Sequence, residues 1–171
     1  MIQRVFGITG WKNSGKTTLT EKLVTEFTRR GLKVSTVKHA HQGFDIDKQG
    51  TDSFRHRAAG ASEVAIVSMN RWALMHEMRG EEELTLEAIL ARLSPCDLVL
   101  VEGFKKDRHE KIECRRMEAR DRSPLFGSVP GIVAIASDHP LDDEVLPVFE
   151  LDDVAAIADF IQSRTGLSPH G

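Results

Sequence analysis

Residues 10–17 match G-x-x-x-x-G-K-[ST], the spacing of a phosphate-binding loop. The glycines let the backbone curl so that successive N–H groups point into one concavity, and the start of the next helix adds partial positive charge there. In such a loop Lys16 reaches the β- and γ-phosphates, and the Thr17 hydroxyl holds Mg²⁺. An apolar strand pattern precedes the loop and an amphipathic helix pattern follows it, as the motif requires. We therefore predict nucleoside triphosphate binding by Gly10, Trp11, Lys12, Asn13, Ser14, Gly15, Lys16, Thr17 and Thr18.

Two carboxylates follow apolar strand patterns and are candidates to complete this site. Glu102 comes directly after the apolar residues 98–101, where a phosphate-loop protein needs an acidic group to hold the water shell of Mg²⁺. Together with Lys16, which reaches the phosphates, Glu102 is a predicted catalytic residue. Asp138 follows residues 132–137, and its carboxylate could accept hydrogen bonds from guanine N1–H and the 2-amino group, a donor pair that adenine lacks. Alternatively, Asp138 only begins a turn. Ligands bind beyond the carboxyl ends of parallel strands, so we expect both carboxylates near the loop.

A polar segment after the second predicted strand is a third candidate region. Residues 38–47 contain a lysine, two histidines (His39 and His41) and two aspartates, and Asp47 is the predicted third metal ligand beside Thr17 and Glu102. The same segment could equally be a hydrophilic surface loop. Basic pairs could also meet a phosphate, although exposed arginine and lysine are usually only solvated: Lys105 with Lys106, Arg55 with Arg57, and Arg115 with Arg116.

The order of apolar segments predicts the fold that must position these residues. A strand at 5–8, a helix ending at Arg30 and a strand at 33–37 form a β-loop-α-β unit with parallel strands. We predict a three-layer α/β fold of the P-loop NTPase class in one domain, 1–171, with a mostly parallel sheet, helices on both faces and an antiparallel hairpin at 63–68 and 72–78. The remaining predictions are a short helix at 51–59, a helix begun by Thr85, strands at 97–103, 112–117, 131–136 and 146–149, and a last helix capped by Asp152.

Composition excludes several classes of protein. The formal net charge is −3 and no segment concentrates one sign, so nucleic acid is not an expected partner. Cys96 and Cys114 form no C-x-x-C pair, which disfavours a structural zinc site and fits a reducing compartment. Neither a signal-peptide pattern nor an apolar stretch of membrane-spanning length is present, so we expect no membrane partner and a cytoplasmic location.

Two other kinds of protein carry the same loop. A self-sufficient P-loop small-molecule kinase would hold ATP there and an acceptor hydroxyl at residues 39–47, but the only arginine-rich segments available as a lid are 115–116 and 120–122. A metal-delivery GTPase should have a cluster of cysteine or histidine ligands, and the seven histidines are scattered. The kinase is the main alternative.

Four further segments form a combination that is more specific than the loop alone: 37–39, 45–47, 50–61 and 100–105. Together with the loop they resemble the MobB family of molybdopterin-guanine dinucleotide biosynthesis proteins, and the resemblance runs from the first strand to Asp138. It implies a homodimeric GTP-binding protein with weak, Mg²⁺-dependent GTPase activity. Such a protein assists the enzyme that attaches GMP to molybdopterin, as an adapter or a supplier of GTP.

The resemblance also implies partners and residue roles. The implied partners are the molybdopterin guanylyltransferase and the molybdenum-insertion protein, and the implied cofactors are GTP and Mg²⁺. By position, residues 10–18 bind phosphate, Thr17 and Glu102 attend the metal, and Asp138 has the base-recognising position. The family's characteristic loop contains further polar residues to which the resemblance assigns no separate roles: Asp45, Asp47, Asp52 and Arg55.

Overall fold

A parallel sheet forms the core of the larger of two units into which the chain divides. The computed structural model describes residues 4–40 and 43–167, so His41 of the predicted polar loop lies outside the described residues. One unit comprises Met1–His39 and Leu86–Gly171, and the other comprises Ala40–Thr85. The single domain expected over 1–171 stays a prediction. In chain order the elements are β1 (Val5–Gly10), α1 (Lys16–Arg29), β2 (Val34–Lys38), α2 (Asp52–Ala58), β3 (Glu63–Val67), β4 (Trp72–His76), α3 (Leu86–Leu90), β5 (Leu98–Glu102), β6 (Lys111–Arg115), β7 (Ile132–Ser137), β8 (Val148–Glu150) and α4 (Val154–Thr165).

Six strands form the main sheet, in the order β2-β5-β1-β6-β7-β8, and every neighbouring pair is parallel. β1 therefore lies inside the sheet, and the loop that follows it emerges at the middle of the carboxyl edge. The strands β3 and β4 form a separate antiparallel pair in the unit Ala40–Thr85, as the hairpin pattern predicts.

Both faces of the main sheet are covered. Leu98 and Leu100 of β5 pack in one apolar core with α1 and α4, whereas Val99 and Val101 pack in a second core with Leu86 of α3. This alternation explains why β5 is an uninterrupted apolar run, since a parallel strand between two helical layers has no solvent face. The structure confirms the predicted three-layer α/β fold.

The strand β6 differs most from its sequence pattern. A polar strand is predicted at 112–117, but β6 spans Lys111–Arg115 and is buried throughout, between β1 and β7. Its charged side chains have internal partners: the Glu113 carboxylate accepts hydrogen bonds from the N–H groups of Leu125 (2.8 Å) and Phe126 (3.1 Å). Burial of a charge is tolerated when the charge is paired, so the polar composition does not place this strand at the surface.

Two helices also differ from expectation, while the other predicted bounds agree to within about two residues. The side chain that caps α4 is Asp153, which accepts the Ala156 N–H at 3.1 Å, and not Asp152, which pairs with Lys22. The apolar residues after Thr85 recur at helical spacing (86, 89, 90 and 93), which predicts a helix that reaches Leu93. The helix α3 nevertheless ends at Leu90, because the following turn is closed by tighter i to i+3 hydrogen bonds. Of the helices within 4–40 and 43–167, none is long and apolar enough to cross a bilayer.

His109, just before β6, is held neutral by its surroundings. Both ring nitrogens are buried without a hydrogen-bond partner among the described residues, and a Cβ atom on Gly7 would lie only 2.7 Å from Nε2. Burial and the nearby charge of Lys111 lower the pKa of His109 to about 4. Protonation of this ring therefore opposes folding.

This buried histidine predicts a loss of stability in acid. Between about pH 6.5 and about pH 4 the unfolded chain binds the proton and the folded chain does not, so the free energy of unfolding should fall as the pH falls through this range. The contribution of His109 has a slope of up to about 1.4 kcal/mol per pH unit. Denaturant unfolding across the range should give a shallower slope for His109→Gln than for wild type, whereas His56→Gln, at an exposed position, should keep the wild-type slope. Equal slopes for His109→Gln and wild type would contradict the assignment.

Candidate nucleotide-binding site

The phosphate-binding loop between β1 and α1 has the curled backbone that its sequence predicts. Asn13 and Gly15 have positive φ angles of 63° and 92°. At Gly10, where φ is 149°, a Cβ atom would lie 2.3 Å from Ser14 Oγ and 2.7 Å from the Cys114 carbonyl oxygen. A larger residue at Gly10 would therefore displace the loop or β6.

The side chain of Lys16 folds over this loop. Its ammonium group donates to the Trp11 carbonyl oxygen at 2.6 Å, and burial lowers its pKa. The bond pre-positions the cation at the mouth of the loop, where phosphate oxygens could replace the carbonyl acceptor. A cavity of about 390 Å³ at this place is lined by Asn13, Gly15, Lys16, Thr17, Thr18, Arg116 and Glu118.

The predicted metal pair, Thr17 and Glu102, is in direct contact. The Thr17 hydroxyl lies 3.1 and 3.3 Å from the two carboxylate oxygens of Glu102, and Lys38 Nζ lies 3.4 Å from one of them. The register of β1 and β5, which pairs Ile8 with Glu102, brings this carboxylate to the first turn of α1.

These oxygen ligands fit Mg²⁺, which usually keeps several waters and takes one or two protein groups plus substrate phosphates. Among residues 4–40 and 43–167, no group of three or more His, Cys, Asp or Glu side chains is arranged to hold a metal ion. The residues present thus suit a metal that arrives with a nucleotide, rather than one held by protein ligands alone.

Asp138 lies at the same edge of the sheet, but its carboxylate has partners within the protein. Oδ1 accepts the Met117 N–H at 3.0 Å and lies 2.8 Å from His139 Nδ1, while Oδ2 lies 3.6 Å from Arg116 Nε. Burial raises the pKa of Asp138, but the hydrogen bonds from His139 and the Met117 amide outweigh burial and leave that pKa below its ordinary value. The carboxylate is therefore ionised and anchors the backbone that follows β6.

Two further cavities lie beyond the ends of β7 and β8. The larger has a volume of about 500 Å³, and Asp138, Leu151 and Asp152 are among its lining residues. The second, of about 260 Å³, is lined by the same three residues and also by Gly15 and Thr18 of the phosphate loop. The structure thus places Asp138 beside the loop, as expected from strands that end at one edge.

Asp47 has a different environment. It lies in the unit Ala40–Thr85, where Arg57 donates to both of its carboxylate oxygens, at 2.6 and 3.2 Å. Arg57 also pairs with Asp45 and Glu77, and Arg55 lies 4.0 Å from Asp52. A metal at Asp47 would have to displace Arg57, and its role as a metal ligand stays a prediction.

Three contacts at the site do not follow from the sequence patterns. The Trp11 indole donates to the Ser123 carbonyl oxygen at 2.8 Å, and Lys105 Nζ lies 4.3 Å from the centre of its ring. Arg116 lies against Gly15, where a Cβ atom would be 3.0 Å from Arg116 Cδ. Lys22 joins the cavity wall because it follows Thr18 by one helical turn, a spacing that could have identified it.

Comparison with known proteins gives a consistent result. The family model described as "MobB: Molybdopterin guanine dinucleotide synthesis protein B" matches residues 5–138. A protein of Escherichia coli (strain K12) named "Molybdopterin-guanine dinucleotide biosynthesis adapter protein" is 40% identical over 153 residues, which are 88% of this chain and 87% of that protein. A protein of Haemophilus influenzae with the same name is 39% identical over 160 residues, 93% of this chain and 88% of that protein.

Solved structures agree with the sequence relatives. The crystal structure of a MobB protein homolog from Bacillus stearothermophilus superposes with a TM-score of 0.73 at 29% identity, and the match covers 97% of this chain and 100% of that one. Since the family model spans most of the sequence and a relative at 40% identity is matched over 88% of the chain, this chain belongs to the MobB family.

Proposed function

We propose that this protein is a GTP-binding accessory protein with weak GTPase activity, which assists the guanylylation of molybdopterin to the molybdopterin-guanine dinucleotide form of molybdenum cofactor. The observation that carries the nucleotide part is the contact between Thr17 and Glu102 beside a curled phosphate loop. The adapter part is supported by membership of the MobB family and by the names of its relatives in Escherichia coli and Haemophilus influenzae.

In the proposed complex the triphosphate lies in the loop of residues 10–18. The backbone N–H groups and the start of α1 provide positive potential, and Lys16 exchanges its bond to the Trp11 carbonyl for one to a phosphate oxygen. Mg²⁺, when bound, neutralises charge on the β- and γ-phosphates, and the Thr17 hydroxyl and Glu102 would hold it directly or through water.

Slow hydrolysis follows from the same arrangement. Glu102 is engaged with Thr17 and Lys38, which suits it to orient a metal ion and its water rather than to take a proton from an attacking water. Lys16 would stabilise the charge that develops on the γ-phosphate. A site that positions the phosphates but has no dedicated general base gives low turnover. A partner protein could use the bound GTP or supply the catalytic groups that this site lacks.

The proposal includes a homodimer and partners in the same pathway, namely the molybdopterin guanylyltransferase and the molybdenum-insertion protein. The hairpin of β3 and β4 offers a contact surface, since Val67, Met69 and Trp72 are highly exposed apolar side chains. A cytoplasmic location is supported by two free cysteines, of which Cys114 is buried with its pKa raised to about 12.

The metal pair gives a prediction about Mg²⁺ binding. Glu102→Gln keeps the shape of the side chain but removes the charge that favours Mg²⁺, so the gain in GTP affinity on adding Mg²⁺ should shrink by about tenfold or more. Affinity in EDTA should not fall, because the lost carboxylate would repel the triphosphate when no metal is bound. Calorimetric titration with and without Mg²⁺ measures both, and Glu87→Gln, an exposed glutamate on α3, is the matched control. An unchanged Mg²⁺ effect in Glu102→Gln would remove this residue from the metal site.

Lys16 of the phosphate loop gives a prediction about hydrolysis. Lys16→Ala should reduce GTP hydrolysis by about 10²-fold or more, because the positive charge aimed at the γ-phosphate is lost. Phosphate release measures turnover, and thermal unfolding checks that the variant remains folded. Lys33→Ala, at the opposite end of the sheet, should hydrolyse GTP at the wild-type rate. Retained turnover in folded Lys16→Ala would mean that hydrolysis occurs elsewhere.

The adapter role is tested with the partner enzyme. Adding this protein with GTP to a purified molybdopterin guanylyltransferase and molybdopterin should increase formation of molybdopterin-guanine dinucleotide several-fold over the transferase alone. The Lys16→Ala protein should give a smaller increase, because its hold on GTP is weaker. Product can be quantified by chromatography. No increase with either protein, together with phosphorylation of a small-molecule acceptor, would favour the kinase alternative.

A further inference from the structure

Asp152 is a further carboxylate at the carboxyl edge of the sheet, and its environment differs from that of Asp138. It follows Leu151 just beyond β8, and its side chain is 86% exposed. Among the described residues, the hydrogen-bond partner of its side chain is Lys22 on α1, whose Nζ lies 2.7 Å from Asp152 Oδ1. An ion pair this exposed contributes little to the stability of a fold, so stability alone gives little reason for these two side chains to lie together.

The position of Asp152 connects it to the phosphate loop. Asp152 and Lys22 line the cavity of about 260 Å³ whose wall also includes Gly15 and Thr18. Leu151 closes that wall, since a Cβ atom on Gly15 would lie 3.1 Å from Leu151 Cδ2. A nucleotide whose phosphates lie in the loop could therefore place its base against Leu151, with the edge of the base toward Asp152.

Asp138 lines the same cavity but is less available for a ligand. Its Oδ1 already accepts the Met117 N–H and faces His139, and its Oδ2 faces Arg116. A base that took these oxygens would have to displace the Met117 N–H and the His139 ring from Oδ1 and compete with Arg116 for Oδ2. Within the part of the chain that the structure describes, no backbone N–H donates to the Asp152 carboxylate, and its partner Lys22 is itself partly exposed.

The Lys22–Asp152 pair places a hydrogen-bond donor beside a hydrogen-bond acceptor, in the order that is complementary to the edge of guanine. Guanine presents an acceptor at O6 next to two donors, N1–H and the 2-amino group, which an ammonium beside a carboxylate can satisfy together. Adenine presents a donor toward the ammonium and an acceptor toward the carboxylate, so both contacts would be repulsive. We infer that Asp152, with Lys22, is the residue that selects guanine, and that Asp138 positions the loop after β6. The inference rests on the proposed binding of a guanine nucleotide.

The test replaces each aspartate in turn by asparagine, which changes a carboxylate with two acceptor oxygens into an amide with one acceptor and one donor group. Xanthine carries an oxygen in place of the 2-amino group, and an asparagine amide supplies one donor and one acceptor, so Asp152→Asn should favour xanthosine triphosphate over GTP. We would measure Mg²⁺-dependent binding of GTP, ATP and xanthosine triphosphate by calorimetry for wild type, Asp152→Asn and the matched variant Asp138→Asn. Thermal unfolding of each protein accompanies the titrations.

The expected result is a wild type that binds GTP at least about tenfold tighter than ATP, and an Asp152→Asn protein whose preference is inverted. In that variant GTP affinity falls about tenfold or more while affinity for xanthosine triphosphate rises. The Asp138→Asn protein should still prefer GTP. Because the Asp152→Asn outcome includes a gain of binding, misfolding cannot produce it.

Other outcomes separate this inference from the function on which it rests. A wild type that prefers GTP, with Asp152→Asn keeping that preference, overturns the inference and leaves the proposed function standing. Inversion in Asp138→Asn alone overturns it in favour of Asp138. Equal wild-type affinity for GTP and ATP overturns both the inference and the guanine part of the proposed function.

Discussion

The burial of β1 between two parallel neighbours is the constraint on which the rest of the site depends. With β5 on one side and β6 on the other, the chain can leave β1 only at the middle of the carboxyl edge, and there the glycine-bearing loop turns into α1. The same register pairs Ile8 with Glu102, so the carboxylate at the end of β5 reaches the hydroxyl of Thr17. The phosphate cradle and its acidic partner are thus one consequence of strand pairing.

The buried charges of β6 and its neighbours complete this arrangement. Glu113 accepts two backbone N–H groups from the segment that follows β6 and also pairs with Arg115, so that segment is fixed to the sheet. Ser123, in the same segment, accepts the Trp11 indole N–H and so ties the phosphate loop to it. Burial without pairing would oppose folding, and these mutual hydrogen bonds explain why a strand with alternating charges lies inside the sheet.

The proposed nucleotide site is arranged to hold a ligand more than to transform it. The predicted catalytic residues have internal partners, since Lys16 bonds to Trp11 and Glu102 to Thr17 and Lys38. Each partner fixes a side chain where phosphate and metal would lie, at the expense of its freedom to transfer protons. The name of adapter protein, which relatives in the MobB family carry, agrees with the proposal that the site retains a nucleotide.

The sequence by itself determined the phosphate loop, the parallel sheet and the approach of Glu102, because each depends on local spacing or on the rule that parallel strands end at one edge. Only the tertiary structure decided which role each of two adjacent residues has. Of two neighbouring aspartates, Asp153 caps α4 and Asp152 faces Lys22. Two partners of Asp138, Met117 and Arg116, come from the end of β6, at a sequence distance that no pattern encodes. Local periodicity records which face is apolar, whereas the partner of a buried charge is set only when distant segments pack together.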